Sequence, residues 1–296
     1  MPAVLPVDSV ADTALLTAFC RAVESERPDA VFRDPYAREL AGPRGEQLLQ
    51  RFSGGALTAA GCTVRTSLLD SLIVATLRDT GVDTVVNLGA GLDTRPYRLP
   101  IAPSISWIEV DQPSVLAHKA DILDPYSPVC ALESVPLDLS DVGERRTFLA
   151  RVGASAARVL VITEGLLIYM APDAVTALAR DLGEWSPFQW WLTDLVSPNA
   201  LTLMQSRDCE SPNTGNVSLH FAPAEGPEFF HSCGWQTAEI HSCLQEGQRL
   251  NRPFLSEAFL TADFPEDQRQ VLRELFIIAK LKRLGPNGAS SSASSK

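Results

Sequence analysis

The stretch VVNLGAGLDTRPYRL, residues 85–99, decides the fold. Its apolar start reads as a short strand buried on both faces. The run stops at Gly89 and Gly91, and charged residues follow at once. Glycines at a strand end allow a tight turn and let a ligand come close to the main chain. Outward from this point, β-rich runs recur at 83–89, 104–111, 129–138 and 157–165, separated by helical patterns at 112–123, 140–151 and 172–185. That alternation predicts a parallel sheet with helices on its faces. QWWLTDLV (189–196) supplies a fifth strand, and WQTAEI (235–240) and LFIIAKLK (275–282) two late ones, with helices near 226–232 and 266–274.

Toward the N-terminus the pattern is helical throughout. Helices are expected over 8–25, 43–52 and 56–79, with a turn-rich link running into a short helix between the first two and SGG at 53–55 as a break. The expected organisation is a helical cap over 1–80, a sheet domain over 81–284 and a disordered, low-complexity tail over 285–296. Residues 197–225 are polar and rich in Pro, Asn and Ser, and with the aromatic residues up to 232 they are expected to form a lid insertion.

The chain has 296 residues and a formal charge of −11. A surface so acidic repels nucleic-acid backbones and anionic lipid, so neither is an expected partner. No uninterrupted apolar run approaches the roughly 20 residues of a membrane helix, and the N-terminus lacks a signal-peptide pattern, so a cytoplasmic protein is expected. The six cysteines, at 20, 62, 130, 209, 233 and 243, form no CxxC and read as reduced thiols. A doubled tripeptide, His231-Ser-Cys233 and His241-Ser-Cys243, fits no zinc module, and no metal site is assigned.

In an open parallel sheet, ligands bind beyond the carboxyl ends of the strands. Gly89 and Gly91 stand at such an end. The next strand ends in Glu109-Val-Asp111, where Asp111 can accept hydrogen bonds from ribose hydroxyls. The dinucleotide pattern GxGxxG is broken by Thr94, and Asp93 brings negative charge where a pyrophosphate would sit. A cationic nucleoside such as S-adenosyl-L-methionine therefore fits better, with a nicotinamide-dependent oxidoreductase as the alternative. Asp138 ends the third strand, where it can bond an adenine amino group with Leu139 on the ring; equally, it can cap the next helix. Glu164 ends the fourth, as a ligand group or a salt-bridge partner. Tyr169 can face the same cleft or pack in the core. Arg65, on an apolar helix, needs a carboxylate partner or must snorkel to water.

The segments NLGAGLDTRPYRL, WIEVDQPSVLAHK, PLDLS and TEGLLIYM, in this order, resemble the leucine carboxyl methyltransferase and polyketide O-methyltransferase family. AFCRAVESERPDAVFRDPYA and VRTSLLD upstream are similar to that family's helical N-terminal region. The resemblance implies a Rossmann-like class I methyltransferase, with a mostly parallel seven-stranded sheet flanked by helices, using S-adenosyl-L-methionine. It implies Arg65 on the methionyl carboxylate, with Arg21 as a second partner, and Gly89, Ala90 and Gly91 facing the methionyl moiety. Asp111 would hold the ribose, Asp138 and Leu139 the adenine, and Glu164 would lie beside the cofactor. The expected acceptor is a carboxylate or hydroxyl of a small, polyketide-like metabolite; a protein C-terminal carboxylate is the alternative within the family. Tyr169 is assigned to holding the acceptor. None of the four histidines, at 118, 220, 231 and 241, is assigned as a base.

Overall fold

Strand β1 (Thr84–Leu88) is buried at every position, as its unbroken apolar pattern requires. In the computed structural model, which describes residues 10–51, 55–210, 218–255 and 265–285, it is a central strand of a seven-stranded sheet. The others are β2 (Ser106–Asp111), β3 (Ala131–Pro136), β4 (Val159–Thr163), β5 (Phe188–Val196), β6 (Trp235–Ser242) and β7 (Phe276–Arg283), in the spatial order β3-β2-β1-β4-β5-β7-β6. Strands β1 to β5 pair in parallel, and β7 runs antiparallel between β5 and β6. The order reverses between β1 and β4, so a crevice opens above their carboxyl ends.

The helices are α1 (Val10–Ser25), α2 (Ala37–Arg51), α3 (Gly55–Thr80), α4 (Arg95–Arg98), α5 (Pro113–Leu123), α6 (Val142–Ser155), α7 (Pro172–Gly183), α8 (Pro198–Glu210), α9 (Cys243–Arg249) and α10 (Glu266–Arg273). Alternation along each strand splits the apolar residues between two faces. Val86, Leu88, Val159 and Val161 pack with Phe148, Leu149 and Val152 of α6 and Val175, Leu178 and Leu182 of α7. Val85, Leu160 and Ile162 pack on the other face with Val64, Leu68, Leu69, Leu72 and Ile73 of α3. On length and composition alone α3 is long and apolar enough to cross a membrane, although Arg65 and Asp70 interrupt its apolar run. Here it serves as a core helix of the sheet.

Helices α1 and α2 form a smaller apolar layer with Leu92 of the glycine turn and Leu123 of α5. The α2 span is kinked at Gly42, whose φ of 55° and ψ of −171° separate a short helix from a longer one, as the turn-rich link implied. The segment expected to form a lid begins as a helix: Ser197 Oγ accepts the Ala200 N–H at 3.2 Å and Pro198 opens α8. Within 226–233 the chain forms 3-10 turns, ended by Gly234 at φ 91°. Residues 8–9 of the first expected helix, 53–54 of the SGG break, 211–217 in the middle of the expected lid segment and 286–296 in the tail lie outside the described residues.

Candidate active site

Gly89 and Gly91 both adopt left-handed backbone, with φ of 67° and 51°. This conformation is costly for residues with a Cβ, and at Gly89 a Cβ would also come within 3.0 Å of Leu166 Cδ1. The turn is pinned to β2. The N–H groups of Gly89 and Ala90 donate to the Val110 carbonyl at 2.8 and 3.1 Å, and the Gly91 N–H donates to Asp111 Oδ2 at 2.7 Å. Asp111 Oδ1 accepts the Gln112 N–H. A carboxylate oxygen has two lone pairs, so each retains capacity for a hydroxyl donor. Ala14 of α1 lies directly over Gly91, 3.5 Å from where its Cβ would be.

Beside this turn lies a continuous ion network. Arg95 is 2% exposed and donates to Asp70 at 2.7 Å, Asp93 at 2.9 Å and Glu164 at 2.7 Å. Arg65 donates from Nε to Glu164 at 3.0 Å and from Nη1 to Asp194 at 3.1 Å. Arg98 donates to Asp70 at 2.6 Å, and Thr94 Oγ1 donates to Asp34 at 2.7 Å. Arg21 donates to Asp34 at 2.8 Å and to the Leu92 carbonyl at 2.6 Å. These groups come from α1, the link between α1 and α2, α3, the glycine turn, α4 and the ends of β4 and β5. Five carboxylates (Asp34, Asp70, Asp93, Glu164 and Asp194) face four guanidiniums (Arg21, Arg65, Arg95 and Arg98), so the cluster carries an excess of negative charge.

Burial would push the Asp93 carboxyl up, but Arg95, Lys119 and Arg98 together hold it below the usual carboxylate range. Glu164 is held down in the same way, with burial outweighed by Arg95 and Arg65. Asp194 goes the other way: burial raises it by more than Arg65 lowers it. Burial also raises the Tyr169 phenol, against a hydrogen bond with Thr13 and the nearby Arg65 charge.

The expected site residues divide into two groups. Arg65, Glu164 and Tyr169 converge on one side of the turn, and Asp111 closes it through Gly91. Asp138 is exposed two strands away and accepts the Ser140 N–H at 2.9 Å, while Asp141 caps α6 through the Glu144 N–H. Leu139 is half-buried against the core, and its carbonyl accepts from Arg145. Phe221 and Phe230, aromatic residues of the stretch expected to form a lid, join the aromatic core with Trp191 and Trp235.

The histidines lie apart from this cluster. His118, His220 and His231 are exposed, and His241 meets Glu239 on β6 at 3.1 Å. Among the described residues, no three His, Cys, Asp or Glu side chains gather as a metal site. The sequence reading missed Asp194, Asp70, Asp34, Arg95 and Arg98. Asp194 carried a usable signal, a lone acid within the apolar strand QWWLTDLV that parallels Glu164 on the strand before it.

The residues present fit S-adenosyl-L-methionine. Arg65 retains Nη2 without a hydrogen bond among the described residues and is 24% exposed, as a carboxylate receptor requires. The acid-rich surroundings suit an ammonium and a sulfonium.

Residues 14–183 match the leucine carboxyl methyltransferase family. A candidate S-adenosyl-L-methionine-dependent methyltransferase from Mycolicibacterium gilvum is 36% identical over 188 residues, covering 57% of this chain and 60% of that protein. For the first of these relatives, then, the match spans less than two thirds of their length. A counterpart from Parafrankia is 30% identical over 276 residues, covering 88% of each. Among solved structures, a DUF574 family protein from Streptomyces avermitilis superposes with a TM-score of 0.60 at 13% identity, covering 92% of this chain and 97% of that one. A candidate methyltransferase from Thermobifida fusca gives 0.57 at 15%, covering 96% and 97%. Both agree with this sheet in fold. The glycine turn, the acid ending β2 and the match from α1 to α7 lead to one conclusion: the chain belongs to the leucine carboxyl methyltransferase family.

Proposed function

We propose that this protein is an S-adenosyl-L-methionine-dependent O-methyltransferase acting on the carboxylate or hydroxyl of a small, polyketide-like acceptor. The observation that carries this reading is the acid-rich ion network beside the glycine turn. A pyrophosphate would need free N–H groups at a helix start. Here α4 has four residues, and the Arg95 N–H already donates to Asp93 at 2.9 Å. That arrangement disfavours a nicotinamide dinucleotide and favours a nucleoside of net positive charge.

Bound S-adenosyl-L-methionine would supply an electrophilic methyl group on a positively charged leaving atom. Arg65 would receive the methionyl carboxylate, Glu164 would lie beside the amino end, and Asp111 would accept the ribose hydroxyls. The protein's task is then alignment and exclusion of water. Helix α1 supports both, since it closes over Gly91. An anionic carboxylate acceptor needs no base. For a hydroxyl, Tyr169 is suited to hydrogen bonding and not to proton abstraction, because its raised phenol stays neutral near pH 7. The net charge of −11 supports a small-molecule acceptor over a nucleic acid.

Thermal shift in the presence of S-adenosylhomocysteine and, separately, NAD tests the donor. At a ligand concentration about 100 times Kd, stabilisation of roughly 2.7 kcal/mol is expected for the first and none for the second. A shift with NAD alone would replace this reading. Methyl-transfer assays over a panel of carboxylic acids, phenols and C-terminal peptides then read the acceptor.

A further inference from the structure

A long arginine side chain has many rotamers, and a receptor for a carboxylate needs one of them. Two acids on neighbouring strands select it for Arg65. Glu164 at the end of β4 accepts from Nε at 3.0 Å, and Asp194 on β5 accepts from Nη1 at 3.1 Å. Asp194 also does a second job with its other oxygen, accepting the Gly165 N–H at 2.7 Å. Gly165 has φ 60°, and a Cβ there would come within 3.2 Å of Arg65 Nη1. One carboxylate thus joins β5, the turn after β4 and the guanidinium from α3 in a single arrangement. It does so from within an apolar strand, where an unpaired acid is unfavourable.

We propose that Asp194 is a positioning residue that holds Arg65 ready for the carboxylate at the amino-acid end of the cofactor. The inference rests on S-adenosyl-L-methionine being that cofactor. Asp194 then matters only for ligands that carry an amino-acid end.

The test is calorimetry on the full chain with two nucleosides. S-adenosylhomocysteine has the amino-acid end, and 5′-methylthioadenosine has the same nucleoside without it. Asp194→Asn keeps the shape and an acceptor for the Gly165 N–H while removing the charge that orients Arg65. Its affinity for S-adenosylhomocysteine is expected to fall roughly tenfold or more, the effect of weakening one charge-assisted hydrogen bond, while 5′-methylthioadenosine binds within about twofold of wild type.

Arg65→Met supplies the second arm and stands in where Asp194→Asn alone fails to fold, because it removes the guanidinium along with its need for an acid. In that background Asp194→Asn is expected to change S-adenosylhomocysteine affinity by less than about twofold, since Asp194 acts through Arg65. Unchanged affinity in the single variant, equal losses for both nucleosides, or a full further loss in the Arg65→Met background would each overturn the proposal. Wild-type protein that binds neither nucleoside would overturn the cofactor reading beneath it, which is a distinguishable result.

Discussion

At the residue scale, the site is built by acids placed where the backbone offers them donors. The position of Asp111 was legible because it follows from spacing: an acid at the end of the strand after a glycine turn. The structure adds that this carboxylate also holds Gly91 in its left-handed turn. Asp111→Ala is therefore expected to weaken S-adenosylhomocysteine binding about 10- to 100-fold, through loss of charge-assisted hydrogen bonds to the ribose. Calorimetry reads that loss, and an unchanged far-ultraviolet spectrum shows that the fold survives. Wild-type affinity would remove Asp111 from the ribose site. The strand order puts Asp138 at the sheet margin, but the structure shows the local turn it makes with Ser140.

At the element scale, all seven strands lie within two residues of where the alternation of apolar runs and breaks sets them. Strand signals are local: β-branched and aromatic runs bounded by turn residues. Helices α8 and α9 were not legible. The first was masked by a polar composition and the second by its short length, although Ser197 before Pro198 and Ser242 before Cys243 are ordinary helix starts. A cap for α6 was legible in the acid-rich start of the helix, where Asp138 was one reading, and it is Asp141 that fills it by accepting the Glu144 N–H. Asp141→Ala is expected to lower stability by about 1 kcal/mol, measured as a shift in denaturant midpoint with unchanged slope. A neutral result would mean that Asp138 or Ser140 takes over the cap.

At the scale of the whole molecule, the ion network ties the N-terminal helices to the sheet. Glu24 of α1 adds a second tie, a buried pair with Arg252 at 2.9 Å across 228 residues of sequence. Arg95 is the hub, and removing it takes one guanidinium from each of Asp70, Asp93 and Glu164, which keep Arg98, Asn87 and Arg65 respectively. Arg95→Met is expected to cost about 3–5 kcal/mol at pH 7, the range for breaking a buried pair. The pH dependence has a definite sign. Asp93 and Glu164 are depressed below their ordinary values of 3.8 and 4.5, burial being outweighed by the arginines. Their stabilisation is fully present above those values and is lost as pH falls through the folded-state pKa values. Melting curves should therefore show the gap between wild type and Arg95→Met shrinking below about pH 4. A gap that stayed constant down to pH 2 would mean that Arg95 stabilises by packing alone.

The sequence by itself determined the strand succession, the glycine turn and the acid that faces it, because each depends on residues close together in the chain. Glycine supplies the positive φ, and the strand period and a spacing of about 20 residues supply the rest. Only the tertiary structure decided which acids meet which arginines. Asp194 reaches Arg65 across 129 residues, and Glu164 reaches Arg95 across 69. Such pairs are chosen by the side-by-side placement of β1, β4 and β5 in the folded sheet and by desolvation, which forces every buried charge to find a partner. No periodicity or spacing along the chain records that choice.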